Sequence, residues 1–354
     1  MSPVNLPHGA GWYNSFRGSP TTRGPFGAGR LAGVRRGWER CGVKPTIRAR
    51  VLVALATALG TILIAAVKVT QLQGAADFPY WWEAARMLRA GQNPYQLIAP
   101  GGPPFYHDNV FVYPITAAVA TLPWSWLPVY VGSALFSAVG MGVLAFGITR
   151  ENWNRWPGLM SFPALWAISS GQWSPWVTAA ALFPWLGCFG ACKPTLGVAA
   201  FLYRLRWEYV ASGLAICLLG FLFMPSWPWQ WVANTHRSLA GNYHVPILVP
   251  GGAILALAAL RWRRPEARLL LAMACVPQTP LPYDQLALIL VPNTRYQSYV
   301  FAIWSYIALF LARVPAGHIE GKVASFRYLA YVVTFAYYLP LVILILRRPN
   351  RESD

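Results

Sequence analysis

Charged side chains are too scarce in this chain to cover a surface exposed to water. They make up 11% of the 354 residues, whereas hydrophobic residues make up 56%, and soluble domains carry about 25% charged residues. Most of the surface must therefore face a solvent other than water, and a lipid bilayer is the solvent that fits. This composition excludes an ordinary soluble enzyme and a disordered chain. It predicts an all-α protein, built as a polytopic bundle of transmembrane helices.

The first long apolar segment covers residues 51–69, which is enough to cross a hydrocarbon core of about 30 Å. A cleavable signal peptide is the alternative, because residues 74–76 resemble a cleavage site, but the apolar stretch is long for one. Several later apolar segments are too short to span upright, so we expect broken helices or different boundaries there. The later segments cover residues 111–123, 126–148, 158–171, 174–191, 194–203, 208–224, 246–260, 269–281, 284–294, 297–313 and 326–346.

The net charge of +18 is concentrated at one terminus and in short clusters. Residues 1–50 hold nine basic side chains and one acid. We predict a disordered, basic cytoplasmic tail over residues 1–46, a membrane domain over 47–346 and a short cytoplasmic tail over 347–354. The bilayer is the expected partner. Nucleic acid is not, because no recognition module accompanies the charge.

Basic clusters between the apolar segments set the predicted sidedness. The clusters at 204–206, 261–268 and 347–351 should all be cytoplasmic, which places residues 225–245 and the loop at 70–110 outside. Both termini are then inside, and the chain crosses the membrane an even number of times, about 10–12. Arg150 and Arg155 fit this scheme less well.

The loop after the first span predicts a short amphipathic helix at the outer membrane surface. Pro79 suits its first turn, and Gly91 suits its C-terminal end. One face is apolar and holds Trp81, Ala85 and Leu88. The other face is charged and holds Glu83, Arg86 and Arg89. Helices of this kind lie in the interface plane, and Trp81 and Trp82 suit the headgroup level.

Asp77 directly precedes this helix, at the boundary between water and lipid. One interpretation is structural, with the carboxylate capping free amide groups of the first turn. The other is catalytic, with the carboxylate accepting a proton from a hydroxyl group, which works best where desolvation raises the carboxyl pKa.

The residues around Asp77 resemble the signature of glycosyltransferase family 87. The resemblance rests on Asp77-Phe78, Tyr80-Trp81, Ala84-Ala85-Arg86, Gly91 and Asn93-Pro94-Tyr95. Shorter similarities follow in the family's order over residues 50–345. They are Tyr113-Pro114, Leu122-Pro123, Gly171-Gln172, Lys193-Pro194 and Thr279-Pro280-Leu281-Pro282-Tyr283-Asp284.

The resemblance implies a GT-C fold and a hexosyltransferase of the inner cell membrane. The family transfers mannose from a polyprenyl-phosphate donor, and Asp77 matches its catalytic base. The acceptor would be a lipid or a glycan on the outer face. No cofactor and no metal are expected, and the pair His107 and Asp108 offers too few ligands for a metal site.

Two features depart from the family pattern. The family's later-loop His, which assists at the donor phosphate, aligns with Gln285, and Gln carries no charge. The distance from Gly171-Gln172 to Lys193-Pro194 is also short for the family. Cationic or amide donors must stabilise a departing phosphate. The candidate substrate-binding residues are Tyr80, Trp81, Arg86, Lys193, His236, Arg237, His244, Asp284 and Gln285.

Structural interpretations exist for most of these candidates. His236 and Arg237 fit a solvated loop, His244 fits an interfacial residue, and Lys193 fits a snorkelling side chain at a helix end. Asp284 lies between apolar segments, where an ionisable group is costly and is either functional or a structural cap. A lipid or solute transporter and a non-catalytic envelope-assembly partner are the alternative functions. The oligomeric state and the acceptor are not determined by the sequence.

Overall fold

The computed structural model describes residues 44–72, 77–99, 110–238, 243–316 and 322–350. These residues form helices joined by short turns and contain no β-strand; their extended pairing is a single antiparallel bridge between His244 and Gln278. The predicted all-α class is therefore confirmed. Most of the predicted tail at 1–46, and the pair His107 and Asp108, lie outside the described residues.

The α-helices divide into two groups along the chain. The first group contains α1 (Ile47–Leu72), α2 (Phe78–Arg89), α3 (Pro94–Leu97), α4 (Ile115–Thr121), α5 (Val129–Ile148), α6 (Phe162–Ser170), α7 (Ser174–Leu182), α8 (Gly187–Cys192) and α9 (Pro194–Tyr203). The second group contains α10 (Trp207–Phe223), α11 (Trp227–Ser238), α12 (Pro265–Cys275), α13 (Arg295–Ala316), α14 (Lys322–Val332) and α15 (Leu339–Leu346).

Tighter and wider helical turns complete the described chain. The 3₁₀ segments are Leu122–Trp126, Trp156–Met160, Pro184–Leu186, Pro246–Leu248, Gly252–Arg261 and Pro282–Leu290. A π-helical turn, Val333–Tyr338, joins α14 to α15.

Three helical stretches of the described chain are long and apolar enough to cross a membrane. They are Ile47–Val67, Val129–Ile148 and Ala324–Leu346. A fourth crossing is added if Trp207–Phe223 and Trp227–Arg237, which meet at 98°, form one broken span. The described part of the chain is thus a helical protein with apolar helices able to span a membrane, and the larger count of crossings stays a prediction.

The short apolar segments are broken helices. Residues 158–171 and 174–191 do not form two straight helices, because α6 ends at Gly171 and α7 begins at Ser174. Gly171 adopts φ +63°, a left-handed conformation that favours glycine. The break turns the Gln172 side chain inward, where it is fully buried.

Helices α1 and α5 pack closely and run antiparallel. A Cβ added at Gly142 would lie 3.3 Å from the Ala54 carbonyl oxygen, so a small residue permits this approach. The Arg50 guanidinium donates to the Phe146 carbonyl at 2.9 Å, which ties the start of α1 to the end of α5. The other end of α1 leads to the loop before Asp77, so Asp77 and Arg50 lie at opposite ends of this pair.

The basic clusters meet at one end of the described bundle, around Glu266. This carboxylate pairs with Arg348 at 3.0 Å and with Arg264 at 3.2 Å. Burial opposes ionisation of Glu266, but a backbone hydrogen bond and these guanidinium groups lower its pKa. Arg155 is also electrostatically coupled to Glu266, so it groups with the predicted cytoplasmic clusters despite fitting the scheme less well in sequence.

The two loops predicted to lie outside contact each other. Asn93, at the start of α3, donates to the Gln230 side chain of α11 at 2.7 Å. Asn234 of α11 donates to the Tyr95 carbonyl at 3.1 Å, and Trp231 donates to the Val112 carbonyl at 2.9 Å. The loop after α1 and the loop after α10 therefore lie on the same side of the bundle.

Candidate active site

Asp77 occupies the N-cap position of α2, but its side chain makes no capping hydrogen bond. The carboxylate instead accepts a hydrogen bond from the Gln172 side-chain amide. The Asp77 backbone N–H donates to the Ser170 carbonyl at 3.2 Å, which fixes the start of α2 against the turn between α6 and α7. The carboxylate is thus directed at a buried side chain from another element, and the structural interpretation of Asp77 as a helix cap is wrong.

Gln172 links Asp77 to a buried ion pair. The Lys193 Nζ donates to the Gln172 Oε1 at 3.4 Å and lies 2.5 Å from the Asp284 Oδ1. Gln172 is fully buried, Asp284 is 1% exposed, and the Lys193 side chain is 11% exposed. Four separate parts of the chain therefore meet in one hydrogen-bonded series, which we call the carboxylate relay: Asp77, Gln172, Lys193 and Asp284.

Local backbone structure explains how each member reaches the relay. Lys193 lies between α8 and α9 with non-helical dihedrals, and Pro194 begins α9. Asp284 lies in the first turn of the segment Pro282–Leu290. Its second oxygen accepts from the Thr279 backbone at 3.2 Å and from the Thr279 hydroxyl at 3.0 Å. The side chain of Asp284 thus serves both as a turn cap and as the partner of Lys193.

The relay fixes the orientation of the Gln172 amide. A lysine ammonium only donates hydrogen bonds, so the carbonyl oxygen of Gln172 faces Lys193. The NH₂ group then faces Asp77, where it donates to the carboxylate. The Lys193 ammonium also lies 4.9 Å from the Tyr283 ring centroid, which adds a cation–π contact. Lys193 is therefore held in place rather than snorkelling to the surface.

An aromatic core supports the Asp77 end of α2. The Trp81 ring is fully buried and lies 4.9 Å from the Tyr113 ring and 5.7 Å from the Trp173 ring, measured between centroids. Phe78 packs edge-on against Trp81 at 6.2 Å. Trp81 thus positions the helix that begins at Asp77, and a direct contact of Trp81 with substrate stays a prediction.

Tyr80 and Arg86 lie on the same helix but differ in exposure. Tyr80 is half-buried, one turn from Asp77, and its backbone N–H donates to the Asp77 carbonyl at 3.1 Å. The Arg86 side chain is 52% exposed, pairs with Glu83 at 3.3 Å and lies 4.9 Å from the Trp82 ring centroid. The amphipathic helix is confirmed, including Pro79 in its first turn and a left-handed Gly91 at its end.

His236 and Arg237 lie near the end of α11, and both are exposed. Neither joins the carboxylate relay. His244 and Gln285 are placed differently, because both meet Gln278. The His244 backbone exchanges two hydrogen bonds of 2.9 Å with the Gln278 backbone, and the Gln285 amide lies 2.7 Å from the Gln278 Oε1.

Burial and charge perturb the two residues that enter this region from the loop after α11. Burial lowers the pKa of His244 to about 4, although a backbone hydrogen bond and Asp284 favour its charged form. Burial, followed by the charges of Asp284 and Asp77, raises the pKa of Tyr243 to about 12. Both side chains are therefore neutral at pH 7, and both lie within the electrostatic field of the relay carboxylates.

The structure brings three predicted site residues together and adds two that sequence reasoning did not select. Asp77, Lys193 and Asp284 meet in the relay, whereas Gln172 and Thr279 were not chosen as site residues. The signal was present in the sequence, since a glutamine between apolar segments is costly unless a partner is available. Among the described residues, no group of three or more His, Cys, Asp or Glu side chains is arranged to hold a metal.

Comparison with known proteins gives no family assignment. No family model matches the chain, and neither a curated protein nor a solved structure matches it. The resemblance to glycosyltransferase family 87 therefore rests on the short motifs of the sequence.

Proposed function

We propose that this protein is a membrane glycosyltransferase with the GT-C architecture and about 10–12 crossings. It transfers a hexose, mannose by resemblance, from a polyprenyl-phosphate donor to a lipid or glycan acceptor. The reaction takes place on the outer face of the inner cell membrane, with both termini in the cytoplasm. No cofactor or metal is required in this proposal.

The observation that carries the proposal is the carboxylate relay. Charged groups removed from water cost several kcal/mol each unless they are paired. Asp284 and Lys193 are paired in this way, and their pair holds the Gln172 amide that faces Asp77. A bundle of apolar helices would fold more simply with apolar side chains at these positions. The relay supports a function that needs a carboxylate at Asp77 in a fixed orientation.

The chemistry of glycosyl transfer matches such a carboxylate. An acceptor hydroxyl gives its proton to Asp77 while its oxygen forms a bond to the anomeric carbon of the donor sugar. The bond between that carbon and the phosphate oxygen breaks, and its electron pair leaves with the polyprenyl phosphate. The sugar inverts its anomeric configuration relative to the donor. Protonated Asp77 then returns its proton to water.

Lys193 acts as a positioning residue in this mechanism. Its charge is compensated by Asp284 at 2.5 Å, so it is poorly suited to neutralise a departing phosphate. Its contact with Gln172 orients the amide that holds Asp77. The exposed cations Arg86, His236 and Arg237 belong to α2 and α11, the two helices of the outer loops, and are placed to meet anionic headgroups.

Transfer by an Asp77→Asn variant tests the proposal. Asparagine keeps the size of the side chain and an oxygen that accepts from Gln172, so the fold should persist. A positioned general base contributes about 10²–10⁴-fold to a rate, and we expect a loss of that order. The assay follows labelled mannose from polyprenyl-phosphate mannose into lipid or glycan acceptors in proteoliposomes.

Glu83→Gln is the matched control, because Glu83 is an acid on the same helix that faces Arg86 rather than the relay. It should transfer sugar at the wild-type rate. Retention of most of the activity by Asp77→Asn, in protein with an unchanged melting temperature, would refute the assignment of Asp77 as the base.

A further inference from the structure

His244 is a buried histidine whose ring nitrogens lack partners. Both nitrogens are shielded from solvent, and neither has a hydrogen-bond partner within the described part of the chain. The backbone of His244 is held in place by two hydrogen bonds to Gln278. The ring is thus carried by an ordered segment, yet its polar atoms are unused.

An unpaired buried imidazole is unfavourable for folding alone. A neutral ring has one N–H donor and one acceptor nitrogen. Leaving a buried polar group without a hydrogen bond costs about 1–3 kcal/mol. Burial also lowers the pKa of His244 to about 4, so the ring is neutral and presents one N–H group at pH 7. A ligand that accepts a hydrogen bond would remove the cost.

The surroundings of His244 indicate which ligand this is. Asp284 lies close enough to act on the ring electrostatically, but Lys193 compensates its charge at 2.5 Å. An anion near His244 is therefore not repelled by a bare carboxylate. The neighbouring Tyr243 is half-buried and carries a neutral hydroxyl under the influence of Asp77 and Asp284. Two neutral donors beside a carboxylate base suit an acceptor-rich group such as a phosphodiester.

Gln285 is badly placed for the same task. The sequence match puts it where the family has a phosphate-binding histidine, but it is fully buried and engaged with Gln278. The Tyr338 hydroxyl donates to the same Gln278 oxygen at 2.8 Å. These contacts place Gln285 behind Gln278, whereas His244 pairs with the backbone of Gln278.

We propose that His244 is the residue that binds the phosphate of the polyprenyl-phosphate donor, through an N–H group donated to a non-bridging oxygen. This inference rests on the proposed function. His244 forms no covalent bond, and it stabilises the negative charge that stays on the phosphate when the bond to the sugar breaks. Gln278, Gln285 and Tyr338 act behind it as a support.

Binding of two matched lipids tests the inference directly. The purified protein in nanodiscs is titrated with a polyprenyl phosphate and with the polyprenol of the same chain length. The ratio of the two dissociation constants measures recognition of the phosphate alone. His244→Ala should lower this ratio about 10- to 100-fold, the loss expected for a hydrogen bond to a charged group. His236→Ala is the matched control, because His236 is exposed and does not join the relay, and it should keep the ratio.

His244→Asn provides a second variant that keeps an N–H donor, in case the alanine variant does not fold. It should retain part of the phosphate preference. An unchanged ratio in the folded alanine variant would overturn the inference, as would an equal loss in His236→Ala. The proposed function fails separately, by the absence of sugar transfer in the wild-type protein, whatever the lipids bind.

Discussion

Replacing Lys193 by methionine isolates the energetic role of the buried ion pair. Methionine fills a similar volume but leaves Asp284, which is 1% exposed, without its positive partner. Removing one member of a buried pair costs about 3–5 kcal/mol, because the remaining charge stays desolvated. The Thr279 backbone and hydroxyl groups still donate to Asp284, so we expect a loss near the lower end, about 3 kcal/mol.

The opposite replacement should cost less. Asp284→Asn leaves the Lys193 ammonium, whose side chain is 11% exposed and long enough to move toward water. Asparagine also keeps an oxygen for Thr279. We expect a loss of about 1–2 kcal/mol for this variant. Burial thus predicts an asymmetry between two changes that break the same ion pair.

The double variant Lys193→Met with Asp284→Asn completes the cycle. It leaves no unpaired charge, so its loss should be smaller than the sum of the two single losses by about 1–3 kcal/mol. Reversible unfolding in mixed micelles, followed by tryptophan fluorescence, measures all four proteins. Transfer activity should stay low in the double variant, because Gln172 has lost the donor that orients its amide.

Two results would refute this reasoning. One is a loss below about 1 kcal/mol for Lys193→Met, which is the size expected for an exposed pair. The other is strict additivity in the double variant. Glu83→Gln supplies the exposed reference, because its partner Arg86 is 52% exposed.

Three further predictions follow from other parts of the structure. Gly171→Ala should destabilise the protein by about 1–2 kcal/mol, measured by the same unfolding assay, because Gly171 has φ +63°; an unchanged stability would contradict the left-handed turn. Glu266→Gln should lower stability but keep the turnover per folded molecule, since it weakens the ion cluster at the end of the bundle away from Asp77; a selective loss of turnover would be unexpected. The folded protein disfavours protonation of His244, so its stability should fall as the pH is lowered from about 6.5 to about 4, and this part of the fall should be missing in His244→Gln.

The sequence was most informative where local rules decide the outcome. The amphipathic helix after α1 followed from the spacing of Trp81, Ala85 and Leu88, with Pro79 and Gly91 marking its ends. The shortness of several apolar segments predicted broken helices, and the turn at Gly171 is one of the breaks. These features depend on residues close together in the chain, so a single sequence is sufficient to predict them.

The site depended on contacts that no local rule supplies. Asp77, Lys193 and Asp284 were selected one at a time, as a residue at a membrane boundary, a cation beside a proline and an acid between apolar segments. Their meeting through Gln172 joins positions about a hundred residues apart in the chain, since Asp77 and Gln172 are separated by 95 residues. The placement of Gln285 behind Gln278 also follows from packing alone.

Sugar transfer by the purified wild-type protein tests the central claim most directly. The protein is reconstituted in liposomes with polyprenyl-phosphate mannose and an extract of envelope lipids, and both products are quantified by mass spectrometry. Our account predicts one molecule of free polyprenyl phosphate for each mannose attached to an acceptor. Movement of lipid or solute across the membrane without a glycosylated product would instead identify a transporter, and binding of the donor without turnover would identify a non-catalytic assembly partner. Either result would contradict the account.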